Sequence, residues 1–350
     1  MLTPYLEDLE NRIVPETEEA LLAEWQNFSH GHFRGALFSP ARMRASPPQV
    51  EWPEKIFVND ALNDSHLMAL QQFLGCSRSL ETADGRGFGI RANYGTSILP
   101  SIFGAELFLM DRELNTLPAA RHLPGGADVV RRILDKGVPD LRTGQGALVL
   151  EMGKRFRELM RPYPKISQYI QMIHPDIQGP LDVCESLWGS SLFLELVDEP
   201  DLVKSFLGLI TETYIRFLKE WHQFAPPHDG LNLHWGLFHR GTVMLRDDSA
   251  MNLSPEMYAE FAEPYNRRIL AEVGGGAMHF CGRGDHYIHL LCAIPGLYGV
   301  NLSQPQHNDM EKIFQSTVDR GIVLLNLDRK AAEAALERGR DLKGLVQSFE

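Results

Sequence analysis

The chain has 350 residues, 44% of them hydrophobic and 23% charged, a balance that supports a sizeable core and excludes wholesale disorder. Its 34 Lys and Arg stand against 46 Asp and Glu, and the net charge of −12 disfavours a grip on nucleic acid or anionic lipid. No apolar run approaches the roughly 20 residues that a bilayer crossing needs, and the acidic start is unlike a signal or transit peptide, so a cytoplasmic location is expected.

Leu6, Leu9 and Ile13 carry helical spacing at the start of the chain. The stretch that follows holds Pro40, Pro47, Pro48 and Pro53, which interrupt any regular element. Residues 1–54 are therefore expected to be an extension hugging the surface of a domain that spans 55–350. From residue 55 onward, short apolar runs alternate with stretches of helical spacing, the pattern of a βα succession. The expected strands lie at 56–58, 105–110, 241–245, 276–280, 297–302 and 321–327.

Between them, Val203, Phe206, Leu207, Ile210, Tyr214, Phe217 and Trp221 recur at intervals of three and four, predicting a helix with Asp198 as N-cap and Pro200 in its first turn. Another helix opens at Ser254-Pro255-Glu256 and runs toward Leu270, with Pro264 kinking it. No repeat of 20–50 residues is present, so the fold is closed and globular rather than a solenoid. In a barrel of parallel strands the reactive groups sit just past the C-terminal strand ends. Four apolar runs end in polar residues here, at Arg246-Asp247-Asp248, His279-Phe280-Cys281, Asn301-Leu302-Ser303-Gln304 and Asn326-Leu327-Asp328.

The segment GGGAMHFCGRGDHY is the most informative. His279 and Cys281 are two apart at a strand end, so imidazole and thiol point the same way. Zn²⁺ takes both ligand types, and at least one more protein ligand is then needed. A buried histidine beside a small apolar cysteine is the alternative. The other cysteines, Cys76, Cys184 and Cys292, are too few and too scattered for a disulfide framework. Asp247 and Asp248 could bind a cation, hold a ligand's N–H groups or act as general acid or base; Asp248 could equally cap the next turn while Asp247 is solvated. Asp285 is open to catalysis or to an N-cap role, and His286 reads as an exposed ring. Arg91 is a carboxylate clamp or a structural ion pair, Asn93 and Tyr94 follow it, and Gln178 offers an amide at another strand end. His234 and His239, five apart, have no shared-ligand spacing and are not expected to bind metal.

The run 247–291, with IQGPLD (177–182), NYGTSILPSIFGAE (93–106) and GVNLSQPQHND (299–309), resembles the uroporphyrinogen decarboxylase superfamily. The order SPE-x-Y-x-EF-x-x-P followed by H-x-CG carries the resemblance, which covers most of the chain from about residue 55. It implies an α/β fold with a single (β/α)₈ TIM barrel. It also implies two chemistries. The decarboxylases use an N-terminal Arg-Gln-Ala-Gly-Arg motif that is absent here. The corrinoid-linked methyltransferases hold zinc with an H-x-C and a distant cysteine, and so turn a substrate thiol into the nucleophile for a methyl group. His279 and Cys281 match the first two ligands, but no cysteine follows Cys292. The departure leaves a zinc site completed by an oxygen or nitrogen ligand such as Asp247 or Asp248, or a barrel that kept H-x-C without metal; with the zinc site, the resemblance implies an enzyme transferring a methyl group from a corrinoid-binding partner protein to a small-molecule thiol or similar acceptor. Asp247, Asp248 and Asp285 are its expected catalytic residues, and Arg91, Asn93, Tyr94, Gln178, Ser303 and Gln304 its expected substrate contacts. The alternatives are cofactor-free decarboxylation of uroporphyrinogen or another polycarboxylate, and corrinoid or tetrapyrrole binding without turnover.

Overall fold

The computed structural model describes residues 2–228 and 230–349. Its strands are β1 (Phe88–Ile90), β2 (Leu107–Phe108), β3 (Ala119–Ala120), β4 (Ile170–Met172), β5 (Asn232–His234), β6 (Leu237–His239), β7 (Val243–Arg246), β8 (Gly276–Phe280), β9 (Leu297–Leu302) and β10 (Val323–Leu324). The last four form a parallel sheet in the order β10-β9-β8-β7, and β1 pairs in parallel with β4. Parallel bridges from Leu324 to Val346 and from Phe38 to Gln347 extend the sheet beyond β10. On the other side, the Met244 N–H donates to His174 Nε2 (3.0 Å) and ties the chain just past β4 to β7. Every residue of β7 and β8 is buried, as parallel strands covered on both faces require.

Helices alternate with these strands. Pro200–Trp221 buries Val203, Phe206, Leu207, Ile210, Tyr214, Phe217 and Trp221 completely, the stripe that the spacing predicts. Asp198 does not cap it. Leu192 and Leu196, buried four apart, draw Leu192–Asp198 into a helix of its own, and Glu199 is the N-cap without a side-chain bond. Ser254 Oγ accepts from the Met257 N–H (3.2 Å), and the stretch after it breaks at Ala262 into Pro255–Phe261 and Glu263–Val273. Pro264, with no N–H to continue the first helix, accounts for that break. No helix among the described residues is long and apolar enough to cross a membrane.

Two expected strands differ. At 56–58 the Val58 N–H donates to Asn115 Oδ1 (2.8 Å) and opens the helix Val58–Asn63. Within 105–110 only Leu107 and Phe108 pair, antiparallel to Ala120 and Ala119 and outside the parallel sheet. The first 54 residues bring Leu6, Leu9, Trp25 and Phe28 into the same core as the strands, each burial worth roughly 1.5–3 kcal/mol. Arg42 binds Glu18 through Nε and Nη2 (2.8 and 2.9 Å), and its guanidinium lies 3.9 Å from the Phe88 ring centroid on β1.

Candidate metal centre

Strand parity and register assemble the site. Arg246, His279 and Asn301 are paired neighbours across β7, β8 and β9. Two residues further on, Asp248, Cys281 and Ser303 point the same way, one layer nearer the C-terminal strand ends. Asp247, between the two layers, points oppositely and accepts from Asn266 Nδ2 (2.7 Å) on the helix Glu263–Val273. Of the two carboxylates expected to complete a metal site, Asp248 is thus the one placed to do so.

One donor atom each from Asp248, His279 and Cys281 lies within 4.8 Å of the others. His279 Nε2 is 3.4 Å from Cys281 Sγ and 3.5 Å from Asp248 Oδ1. Ligands bonded at about 2.0–2.3 Å to one tetrahedral zinc stand about 3.5 Å apart, and these two separations are compatible with that ion. The imidazole tautomer also fits. Asn301 Nδ2 donates to the Leu325 carbonyl (2.7 Å), which turns Oδ1 toward His279 Nδ1 at 2.6 Å. Nδ1 therefore carries the proton, and the Nε2 lone pair faces the thiol and the carboxylate.

Asp248 is held from two sides. Its Oδ1 accepts from the Cys281 N–H (2.7 Å), while Asp182 accepts from the N–H groups of Asp248 (3.1 Å) and Ser249 (2.7 Å). Gly179 permits this, because a Cβ there would collide with the Arg246 carbonyl oxygen. Burial lowers the pKa of His279 and raises that of Cys281. Burial, then the charge of Asp248, pushes Asp182 up to about 7, and burial followed by Asp182 drives Asp247 well above the usual carboxylate range. A cation at this position would relieve the repulsion among these acidic groups.

The other expected residues are spread around this centre. Ser303 Oγ is 3.5 Å from Cys281 Sγ, and Gln304 Oε1 accepts from the Gly282 N–H (2.6 Å), holding the turn after the cysteine. Gln178 borders a cavity of about 280 Å³ with Asp182 and Asp248, and its Oε1 has no partner among the described residues. Arg91 Nε donates to Asn93 Oδ1 (3.1 Å), and Arg91 Nη1 lies 3.1 Å from Asp176. Tyr94 is buried. Asp285 is engaged elsewhere, accepting from Arg283 Nε (2.7 Å) and from the Asp309 N–H (3.0 Å). Burial raises its pKa, but Arg283 and the Asp309 N–H outweigh that and leave it lowered.

Several residues in and around the site were not expected from sequence. They are Asp182, Trp235 and Asp176, the carboxylate that pairs with both Arg91 and Arg246. His234 and His239 belong to a buried group with His174, whose ring stacks on His234 at 4.2 Å. Burial lowers the pKa of His174 to about 3 and of His239 to about 4, and drives His234 well below its ordinary value.

Neither a protein-family model nor a curated protein matches this sequence. A solved structure does. A methyltransferase from Methanosarcina mazei superposes with a TM-score of 0.62, covering 94% of this chain and 91% of that chain at 16% sequence identity. The likeness shows a shared mixed α/β fold.

Proposed function

We infer that this chain is a (β/α)₈-barrel enzyme of the uroporphyrinogen decarboxylase superfamily that carries out zinc-assisted methyl transfer from a corrinoid-binding protein to a thiol. The observation that carries the reading is the spacing of Asp248, His279 and Cys281, which suits one tetrahedral ion with a free position. The shared fold with a methyltransferase supports the same reaction class.

Zinc bound by these residues lowers the pKa of a thiol that completes its shell, so that the thiolate is available at neutral pH. The chain's own groups prepare that position. Asn301 fixes His279 with its lone pair inward. Asp182 and the Cys281 N–H immobilise Asp248. Ser303 Oγ, 3.5 Å from Cys281 Sγ, offers a hydrogen bond to the sulfur and tempers its charge. An oxygen ligand in place of a second sulfur would leave more positive charge on the ion, favouring thiol activation and weakening retention against chelators.

The test is zinc per chain after purification without chelator, for the parent and for Cys281→Ser. Near-stoichiometric zinc in the parent, lost in the variant, is expected. A parent with negligible zinc that still turns over substrate excludes the metal mechanism and favours decarboxylation of a polycarboxylate.

A further inference from the structure

A cavity of about 490 Å³ is lined by Ile170 and Met172 of β4, by Met160 at the end of the helix Gly144–Met160, and by Phe224. Pro227 and His228 border it and also border a second cavity with Gly241, Thr242 and Gly274, the residues that lead into β7 and β8. The first cavity therefore lies toward the N-terminal strand ends, whereas Asp248, His279 and Cys281 stand at the C-terminal ends of β7 and β8. Ile170 is also four residues, or roughly 13 Å of extended chain, before His174, whose ring meets the middle of β7 at Met244. Pro226 and Pro227, each with φ fixed by its ring, make one wall of the cavity preorganised.

Arg157 and Arg161 line the same cavity. Arg157 is in the last turn of its helix, and Arg161 is the C-cap with helical angles (φ −50°, ψ −39°), so the four-residue spacing sets both guanidinium groups on one face. Other cations of this helix are paired, Lys154 with Glu151 (3.5 Å) and Arg155 with Glu158 (3.8 Å). Arg157 and Arg161 meet no carboxylate among the described residues, and no described residue lining the cavity is acidic. Arg157 Nη1 reaches only the Gln223 carbonyl, at 3.5 Å, beyond the usual hydrogen-bond range. The end of the helix does not occupy the guanidinium groups either. The Met160 carbonyl accepts from the Tyr163 N–H (2.9 Å) and from Ser167 Oγ (2.8 Å), and the Arg157 carbonyl accepts from the Arg161 N–H (3.2 Å). Two like charges four residues apart repel, in a chain whose net charge of −12 offers acids in excess.

We propose that this cavity is a second binding site, for an organic anion with an apolar body: Arg157 and Arg161 hold a carboxylate or phosphate head, and Met160, Met172 and Phe224 pack against the body. The planar guanidinium fork matches either head, and the volume is that of a small-molecule site. Two methionines in the lining adapt to the shape of an alkyl or aromatic body. The site is separate from the metal centre and does not depend on whether zinc is bound there.

The full chain is titrated calorimetrically with octanoate, octyl phosphate, octan-1-ol and octylammonium. At least one anion is expected to bind at one per chain and about tenfold or more tighter than the alcohol, with octylammonium no tighter than the alcohol; the stronger anion identifies the head. Both arginines are exposed, so the double variant Arg157→Gln/Arg161→Gln should fold, and it should reduce the preference to about twofold. Phe224→Ala should weaken anion and alcohol together and leave their ratio unchanged within about twofold. Cys281→Ser, at the metal centre, should bind the anion as the parent does. A parent that binds anion and alcohol alike overturns the site. Anion binding that survives the double arginine variant and is lost in Cys281→Ser belongs to the metal centre, and overturns it as well.

Discussion

Asn301→Ala tests whether the imidazole is prepared for a metal. In the parent, Asn301 accepts from His279 Nδ1 at 2.6 Å and donates to the Leu325 carbonyl at 2.7 Å. Alanine leaves the ring without its acceptor, so the tautomer with a proton on Nε2, which cannot bind metal through that atom, becomes competitive. Loss of such an outer hydrogen bond lowers metal affinity roughly 10–100-fold, or about 1.4–2.7 kcal/mol. The same change strands a buried carbonyl and opens a small cavity, and should lower folding stability by about 2–4 kcal/mol. Zinc affinity is read by competition with a chromophoric chelator at neutral pH, and stability by urea unfolding. Asn301→Asp separates the two effects, because it keeps an acceptor for Nδ1 and should hold zinc within about tenfold of the parent or more tightly. Asn301→Ala that binds zinc within twofold of the parent would refute the reasoning, whatever its stability.

Burial holds His239 neutral, with its pKa lowered to about 4. Its unfolded form titrates near 6.5, so the unfolded state takes up the proton first and stability falls as pH drops through the window from about 6.5 to 4. Between pH 7 and pH 5 that amounts to about 2 kcal/mol for this one residue. Asp182, raised to about 7, acts in the opposite direction, so the comparison is differential: His239→Gln should lose about 2 kcal/mol less than the parent over that interval in urea unfolding, and equal losses would contradict the assignment. Arg42→Ala leaves Glu18 buried and unpaired and should cost about 3–5 kcal/mol in the same assay; an effect below 1 kcal/mol, the range of exposed ion pairs, would show that the pair is solvated in solution. Gly179→Ala drives a Cβ into the Arg246 carbonyl and should cost about 1–3 kcal/mol while loosening zinc, measured with the same chelator.

The parts of this molecule that were legible in the sequence are those decided by one residue's relation to near neighbours. The apolar stripe of Pro200–Trp221, the break at Pro264 and the fully buried runs of β7 and β8 follow from periodicity and from missing N–H groups. His279 and Cys281 converge because alternate strand residues share a face, and that too is local. Parity alone also separates Asp248 from Asp247, once Arg246 is known to point inward; the sequence leaves that reference direction open. Asn301 ends a polar-tipped run, but its role depends on register with β8, and register is set by packing across the sheet. Asp182 acts through the backbone N–H of Asp248, 66 residues away, for which no spacing rule exists. Trp235 is the clearest case. Asn-Gly or Asp-Gly would have announced the hairpin, whereas Trp-Gly conceals it, and the two histidines five apart look unrelated until the turn folds β5 onto β6. The departure from turn preference is therefore informative in its own right, because a strained residue survives where surrounding contacts hold its ring, here against the Arg246 guanidinium and the His279 imidazole.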